Sequence, residues 1–133
     1  AQNAKEKYNI EDDALLCPMI DARRMEVYNC IYDANLNEVR ETQPEIIDEN
    51  SFAEILKEKK IYFFGNGAEK CKPFITHENA IFLSEVYPLA TSMIKLADES
   101  FESEDFADVA YFEPFYLKAA HVTMPKNQLT PNY

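Results

Sequence analysis

Residues 17–33, CPMIDARRMEVYNCIYD, constrain this chain more than any other stretch. An apolar run (Ala14, Leu15, Leu16, Met19, Ile20) meets a short polar link, Asp21-Ala22-Arg23-Arg24. An alternating run follows, with Met25, Val27 and Ile31 on one face and Glu26, Tyr28, Cys30 and Tyr32 on the other. Period-two alternation predicts strands, and two strands joined by so short a link pair as an antiparallel hairpin.

The order of elements after the hairpin narrows the fold. The two strands are expected over about 15–20 and 25–32. Turn formers at 33–37 lead to a third strand over about 38–43, with Pro44 ending or bending it. Asp48-Glu49-Asn50-Ser51 offers N-cap residues for a helix over 51–59, whose Phe52, Ile55 and Leu56 recur at helical spacing. Ile61-Tyr62-Phe63-Phe64 is wholly apolar, as a strand covered on both faces must be. Gly65-Asn66-Gly67-Ala68 turns the chain into a short helix ending near Pro73, and 80–83 reads as another strand.

The longest helix is expected over 87–102, with Leu89, Met93, Leu96, Ala97 and Phe101 as its buried stripe. The apolar stretch 109–117, broken by Pro114, reads as an extended edge segment. The resulting order, β-β-β-α-β-α-β-α, predicts an α/β fold: a mixed five-stranded sheet with helices packed on it, as in a ribonuclease H-like lobe of the actin-like ATPase superfamily. Residues 14–118 form that lobe. Residues 119–133 should be a loosely ordered tail, polar from Thr123 to Tyr133 and holding two prolines there.

Charge excludes some functions. With 13 Lys+Arg against 24 Asp+Glu the net charge is −11, and phosphate neutralisation needs clustered cations. The densest basic run, Lys57-Glu58-Lys59-Lys60, sits where cations favour a helix C-terminus. Direct nucleic-acid binding by this lobe is therefore not expected. No long apolar span suggests a membrane, and three unpatterned cysteines (Cys17, Cys30, Cys71) suit a reducing cytoplasm.

No catalytic constellation stands out. The histidines, His77 and His121, lie in no HxxxH or Cys/His pattern, so no metal site is expected. No serine sits in a GxSxG context. Asp21 could hold a metal only among several convergent carboxylates, and the default reading is that Asp21 and Arg23 fix the hairpin turn. The acidic run 98–105 lacks the glycine and ligand spacing of a calcium loop. Gly65, Asn66 and Gly67 are the best ligand-site candidates, because glycine lets a phosphate approach backbone amides. The motif lacks the third glycine of GxGxxG, and a tight strand-to-helix turn is the favoured reading of it.

Three pieces resemble the C-terminal lobe of the TsaB (YeaZ) family of tRNA threonylcarbamoyladenosine biosynthesis proteins. They are Ile20-Asp21-Ala22-Arg23-Arg24-Met25-Glu26-Val27-Tyr28, Phe64-Gly65-Asn66-Gly67-Ala68, and Glu113-Pro114-Phe115-Tyr116-Leu117-Lys118, with Lys118 where the family has arginine. The resemblance implies two ribonuclease H-like lobes, of which this chain is the second, with residues 1–13 the end of an inter-lobe helix. It implies a glycoprotease-like scaffold without catalytic residues, partnering TsaD-like and TsaE-like proteins through the full-length protein. An adenine nucleotide at a lobe or subunit junction, and a homodimer, are compatible with it. The alternatives are a glycoprotease-type metallopeptidase, a nucleotide-hydrolysing lobe, or an acidic interaction module unrelated to tRNA.

Overall fold

The computed structural model describes residues 1–118. The tail expected over 119–133 and His121 lie outside the described residues. A short helix α1 (Gln2–Lys7) leads to β1 (Leu15–Asp21), β2 (Glu26–Asp33) and β3 (Glu38–Ile46). Then come α2 (Ala53–Glu58), β4 (Ile61–Phe64), a 3-10 turn at Glu69–Cys71, β5 (Ala80–Phe82), a 3-10 turn at Ala90–Met93, and α3 (Ile94–Glu102).

The five strands form one mixed sheet in the order β3-β2-β1-β4-β5. The hairpin pairs antiparallel, with Ile20 opposite Tyr28 and Leu15 opposite Asp33. β1 pairs parallel with β4, and β4 with β5. This is the expected ribonuclease H-like lobe: a three-stranded meander continued by two parallel strands.

Strand periodicity divides the core into two layers. On one face, Leu15, Cys17, Met19, Val27, Ile31, Ile61 and Phe63 meet Phe52 and Leu56 beside α2, and Ala68, Cys71 and Ile75 from the link between β4 and β5. Phe63 is the centre of this layer. Its ring stands edge-on to Phe52 at 5.1 Å and stacks on Phe82 at 5.2 Å. On the other face, Leu16, Tyr62 and Phe64 meet Ala4 of α1 and Val86. All four β4 residues are buried, and the strand carries no charged residue; its one polar group, the Tyr62 hydroxyl, is bonded to Glu11. Lys7 and Tyr8 pin α1 down, donating to the backbone carbonyls of Glu85 (3.0 Å) and Ser84 (2.6 Å).

Four local expectations are corrected. Pro44 neither ends nor interrupts β3, which runs on to Ile46; β3 is the sheet's edge, where a missing N–H breaks no ladder bond. The helix expected over 51–59 is only Ala53–Glu58, because Asp48 and Ser51 close the turn before it. The Asp48 N–H donates to Ser51 Oγ (3.0 Å), and the Asn50 N–H to Asp48 Oδ1 (2.9 Å). Phe52 occupies the N-cap with φ 62 and places its ring in the core.

The long helix over 87–102 is instead a 3-10 turn followed by α3, and it buries no residue. Leu89, Met93, Leu96 and Phe101 remain 49–71% exposed. Helical spacing signals a face in need of cover but does not say what covers it. The edge segment over 109–117 is not a strand. The amides of Tyr111 and Phe112 both turn back to Asp108 O (3.1 and 2.8 Å), and Pro114 has no N–H to offer a ladder.

Candidate functional site

The loop after β4 and the hairpin link between β1 and β2 form a single structure. Gly65 has φ +98, which L side chains rarely adopt, and a Cβ on it would lie 2.4 Å from Met19 O. A Cβ on Gly67 would lie 2.9 Å from the carbonyl carbon of Ile20 and 3.1 Å from Val27 Cγ1. Both glycines are thus required by the close approach of β1. The Gly67 N–H donates to Met19 O at 3.1 Å, and the Asp21 N–H donates to Asn66 Oδ1 at 3.0 Å.

Lys70 completes the clasp. Its Nζ donates to the Asp21 carboxylate and to the carbonyls of Arg24 and Glu26, both at 2.7 Å. These three acceptors use all three of its donors. The link they hold is backbone of high energy: Arg23 and Arg24 have φ 71 and φ 49, each left-handed. The Arg23 N–H also donates to Asp21 Oδ1 at 2.9 Å. The Lys70 ammonium, and after it the Arg23 amide, hold the Asp21 carboxyl below its usual pKa.

The other motif residues divide clearly. Glu26 pairs with Lys118 across 92 positions, so the end of the third motif reaches the hairpin. Val27 is fully buried and Tyr28 half-buried, while Ala22 sits in the link, where its N–H donates to Glu26 O at 3.1 Å. Pro114 and Tyr116 are exposed and Leu117 is half-buried, so Lys118 is the residue of that stretch bonded to the hairpin.

Gly65 and Asn66 border a cavity of about 1000 Å³ between the second face of the sheet and residues 84–96; Gly67 does not line it. The Gly67 and Ala68 amides are already bonded, to Met19 O and Gly65 O. The turn therefore works first as a tight turn. Among the described residues no three of His, Cys, Asp and Glu stand together as metal ligands. His77 Nδ1 accepts the Asn79 N–H at 3.1 Å in a surface loop.

Sequence reasoning missed two groups. Lys70 gave no signal, because it reads as one more surface cation. Asn29 did give one: period two places it beside Val27 and Ile31 on the buried face. There it is 1% exposed, donates to Glu45 Oε2 (3.0 Å) and accepts from Arg40, whose guanidinium lies 4.8 Å from the centre of the Phe52 ring.

No protein-family model matches this chain, and no curated protein matches it. Among solved structures it is similar to an uncharacterized protein with similarity to peptidase YeaZ from Pseudomonas aeruginosa. The TM-score is 0.67 and the identity 16%, over 89% of this chain and 56% of that one. At that identity the likeness is one of fold. This chain spans little more than half the length of that protein.

Proposed function

We propose that this chain is a non-catalytic scaffold lobe of a TsaB-like protein. It would act in the complex that builds threonylcarbamoyladenosine in tRNA, with TsaD-like and TsaE-like proteins as partners of the full-length protein. The observation that carries this reading is convergence. Three motif pieces far apart in sequence meet at one corner of the lobe, through Asn66 on Asp21 and Lys118 on Glu26, with Lys70, outside the motifs, also on Asp21. The YeaZ-like fold of the solved neighbour supports the same reading.

The motif residues hold the hairpin link rather than present a reactive group, which suits a part that is bound. A scaffold of this kind acts by binding its partner better in the active arrangement, which requires contacts that differ between the partner's states. An adenine nucleotide at a lobe or subunit junction, beside Gly65 and Asn66, belongs to the same proposal, as does a cytoplasmic setting. No helix among the described residues is long and apolar enough to cross a membrane. The test is co-purification of the full-length protein with the TsaD-like protein of the same genome. Retention at micromolar concentration is expected, and absence of binding there overturns the proposal.

The second reading is a glycoprotease-type metallopeptidase or a nucleotide-hydrolysing lobe, supported by the fold shared with a protein similar to a peptidase. Peptidase and ATPase assays of the full-length protein separate the two. Turnover that disappears in Asp21→Ala would put the enzyme first.

A further inference from the structure

We propose that the hairpin end of the second sheet face, flanked by Arg23 and Arg24, docks an acidic segment of a partner protein. Strand register builds the surface. Ile20 lies opposite Tyr28, Tyr28 opposite Pro44, and Glu26 opposite Ile46, so these residues share one face at the end of the sheet. It is the second face, because Val27 and Ile31, which alternate with Glu26 and Tyr28 along β2, belong to the core layer on the first. Ile20 is 61% and Ile46 72% exposed, while Tyr28 and Pro44 are half-buried. Aliphatic side chains in line beside a tyrosine form an apolar platform of the kind found at the centre of protein contacts. The cavity beside α3, a groove that also reaches Ile20, lies farther along this face.

Two arginines stand at the edge of this platform and are left free. Arg23 and Arg24, in the link between Ile20 and Glu26, are exposed and form no ion pair among the described residues. The acids nearest them in the chain, Asp21 and Glu26, give their carboxylates to Lys70 and Lys118 instead. Four cations thus stand with two carboxylates, a local charge of +2 on a chain whose net charge is −11. The backbone does not ask for arginine here. Both residues sit at positive φ, 71 and 49, where glycine is accepted at lower cost. A link that breaks local preference twice, with two guanidiniums that pair with nothing in the lobe's described residues, points to a use outside it.

The free groups select the occupant. Guanidiniums take carboxylates in bidentate, charge-assisted hydrogen bonds. A nucleic acid would bring a row of phosphates toward 24 Asp+Glu, which two guanidiniums do not offset, and a second copy brings the same −11. A short protein segment with carboxylates beside leucine-like side chains satisfies both the arginines and the platform. The patch is small, so the contact is weak and its hold falls with salt. The inference does not rest on the tRNA-modification reading and can fail or hold without it.

The probe is a labelled peptide with alternating glutamate and leucine between Gly-Ser flanks, titrated with the full chain by fluorescence anisotropy. Controls are a peptide with glutamine in place of glutamate, one with serine in place of leucine, and a labelled oligouridine RNA. Saturable binding of the acidic peptide is expected, weakened several-fold between low and physiological salt. The double variant Arg23→Gly, Arg24→Gly should weaken it roughly tenfold. Its urea midpoint should stay or rise, because glycine suits both backbone positions, so the loss cannot be one of folding. Lys5→Gln with Lys59→Gln removes the same charge from two other exposed cations without an ion pair and should leave affinity unchanged. Ile46→Ser, at an exposed platform position, should weaken binding several-fold with the midpoint nearly unchanged. No saturable binding, equal binding of either altered peptide, unchanged affinity in the arginine variant, an equal loss in the lysine variant, or arginine-dependent binding tighter for the RNA than for the peptide would each overturn the proposal.

Discussion

Asn66 Oδ1 accepts the backbone N–H of Asp21 at 3.0 Å, tying the loop after β4 to the end of β1 across 45 positions of sequence. Lys70, four residues on, reaches the same link through the Arg24 and Glu26 carbonyls. Lys70→Met should therefore loosen the hairpin. Loss of the two carbonyl bonds alone costs about 1–2 kcal/mol, read as a lower urea midpoint with an unchanged slope. Because Arg24 sits at φ 49, Arg24→Gly in the Lys70→Met background should restore part of the loss. If Lys70→Met leaves the midpoint where it was, the clasp does not hold the link.

The two glycines of the turn differ in how strictly they are required. A Cβ at Gly65 meets the Met19 carbonyl oxygen at 2.4 Å, on backbone already at φ +98. A Cβ at Gly67 meets atoms at 2.9–3.1 Å, one of them a side-chain methyl that can shift. Gly65→Ala should cost at least ~2 kcal/mol, and Gly67→Ala less. Equal midpoints for the two variants would contradict the described packing.

The sheet was legible because strands signal both faces. The alternation in Met25–Tyr32 and the unbroken apolar run of β4 each encode which sides are covered, and the observed strands begin and end within a residue or so of the expected positions for β1, β2, β4 and β5. β3 ran past its expected end because Pro44 is a breaker only where its N–H is needed. The candidate site was half legible. Glycines at 65 and 67 announced a close approach, but sequence cannot say that the approaching backbone is the chain's own β1 rather than a ligand. Lys70 was invisible because its value comes from three oxygens contributed by distant residues. α3 shows the opposite failure: its periodicity was real, yet the stripe stays exposed, with only the Phe106 ring standing edge-on to Phe101 among the described residues.

That contrast is directly measurable. Phe63 is fully buried between Phe52 and Phe82, so Phe63→Ala should cost about 3–5 kcal/mol. Leu96, on the helix that sequence assigns to the core, is 50% exposed, and Leu96→Ala should change stability by less than ~0.5 kcal/mol. Urea denaturation of both variants checks the pair. A cost at Leu96 approaching that at Phe63 would mean that α3 closes the groove in solution.

The acid limb of stability should carry a contribution from one surface cluster, beside those of Asp21 and Asp33, whose carboxyls are also lowered. Glu11 accepts hydrogen bonds from Lys60 and from the Tyr62 hydroxyl, and these hold its carboxyl down from 4.5 to about 2. Burial, and then the bond to Glu11, raise the Tyr62 phenol from 10.0 to about 12. A depressed carboxyl pKa means that the folded chain favours the charged form more than the unfolded chain does. The contribution of Glu11 is therefore complete above about pH 4.5 and is lost as pH falls toward 2. The raised phenol works in the other direction: its contribution is complete below pH 10 and is lost as pH rises toward 12. Glu11→Gln should flatten the acid limb between pH 4.5 and 2 and pull the phenol part of the way back toward 10. Tyr62→Phe should shrink the alkaline limb, to which Tyr32, also raised to about 12, still contributes, while leaving part of the acid limb, since Lys60 still bonds Glu11. Thermal melts across that pH range measure both limbs, and an acid limb identical in wild type and Glu11→Gln would assign it to other carboxylates.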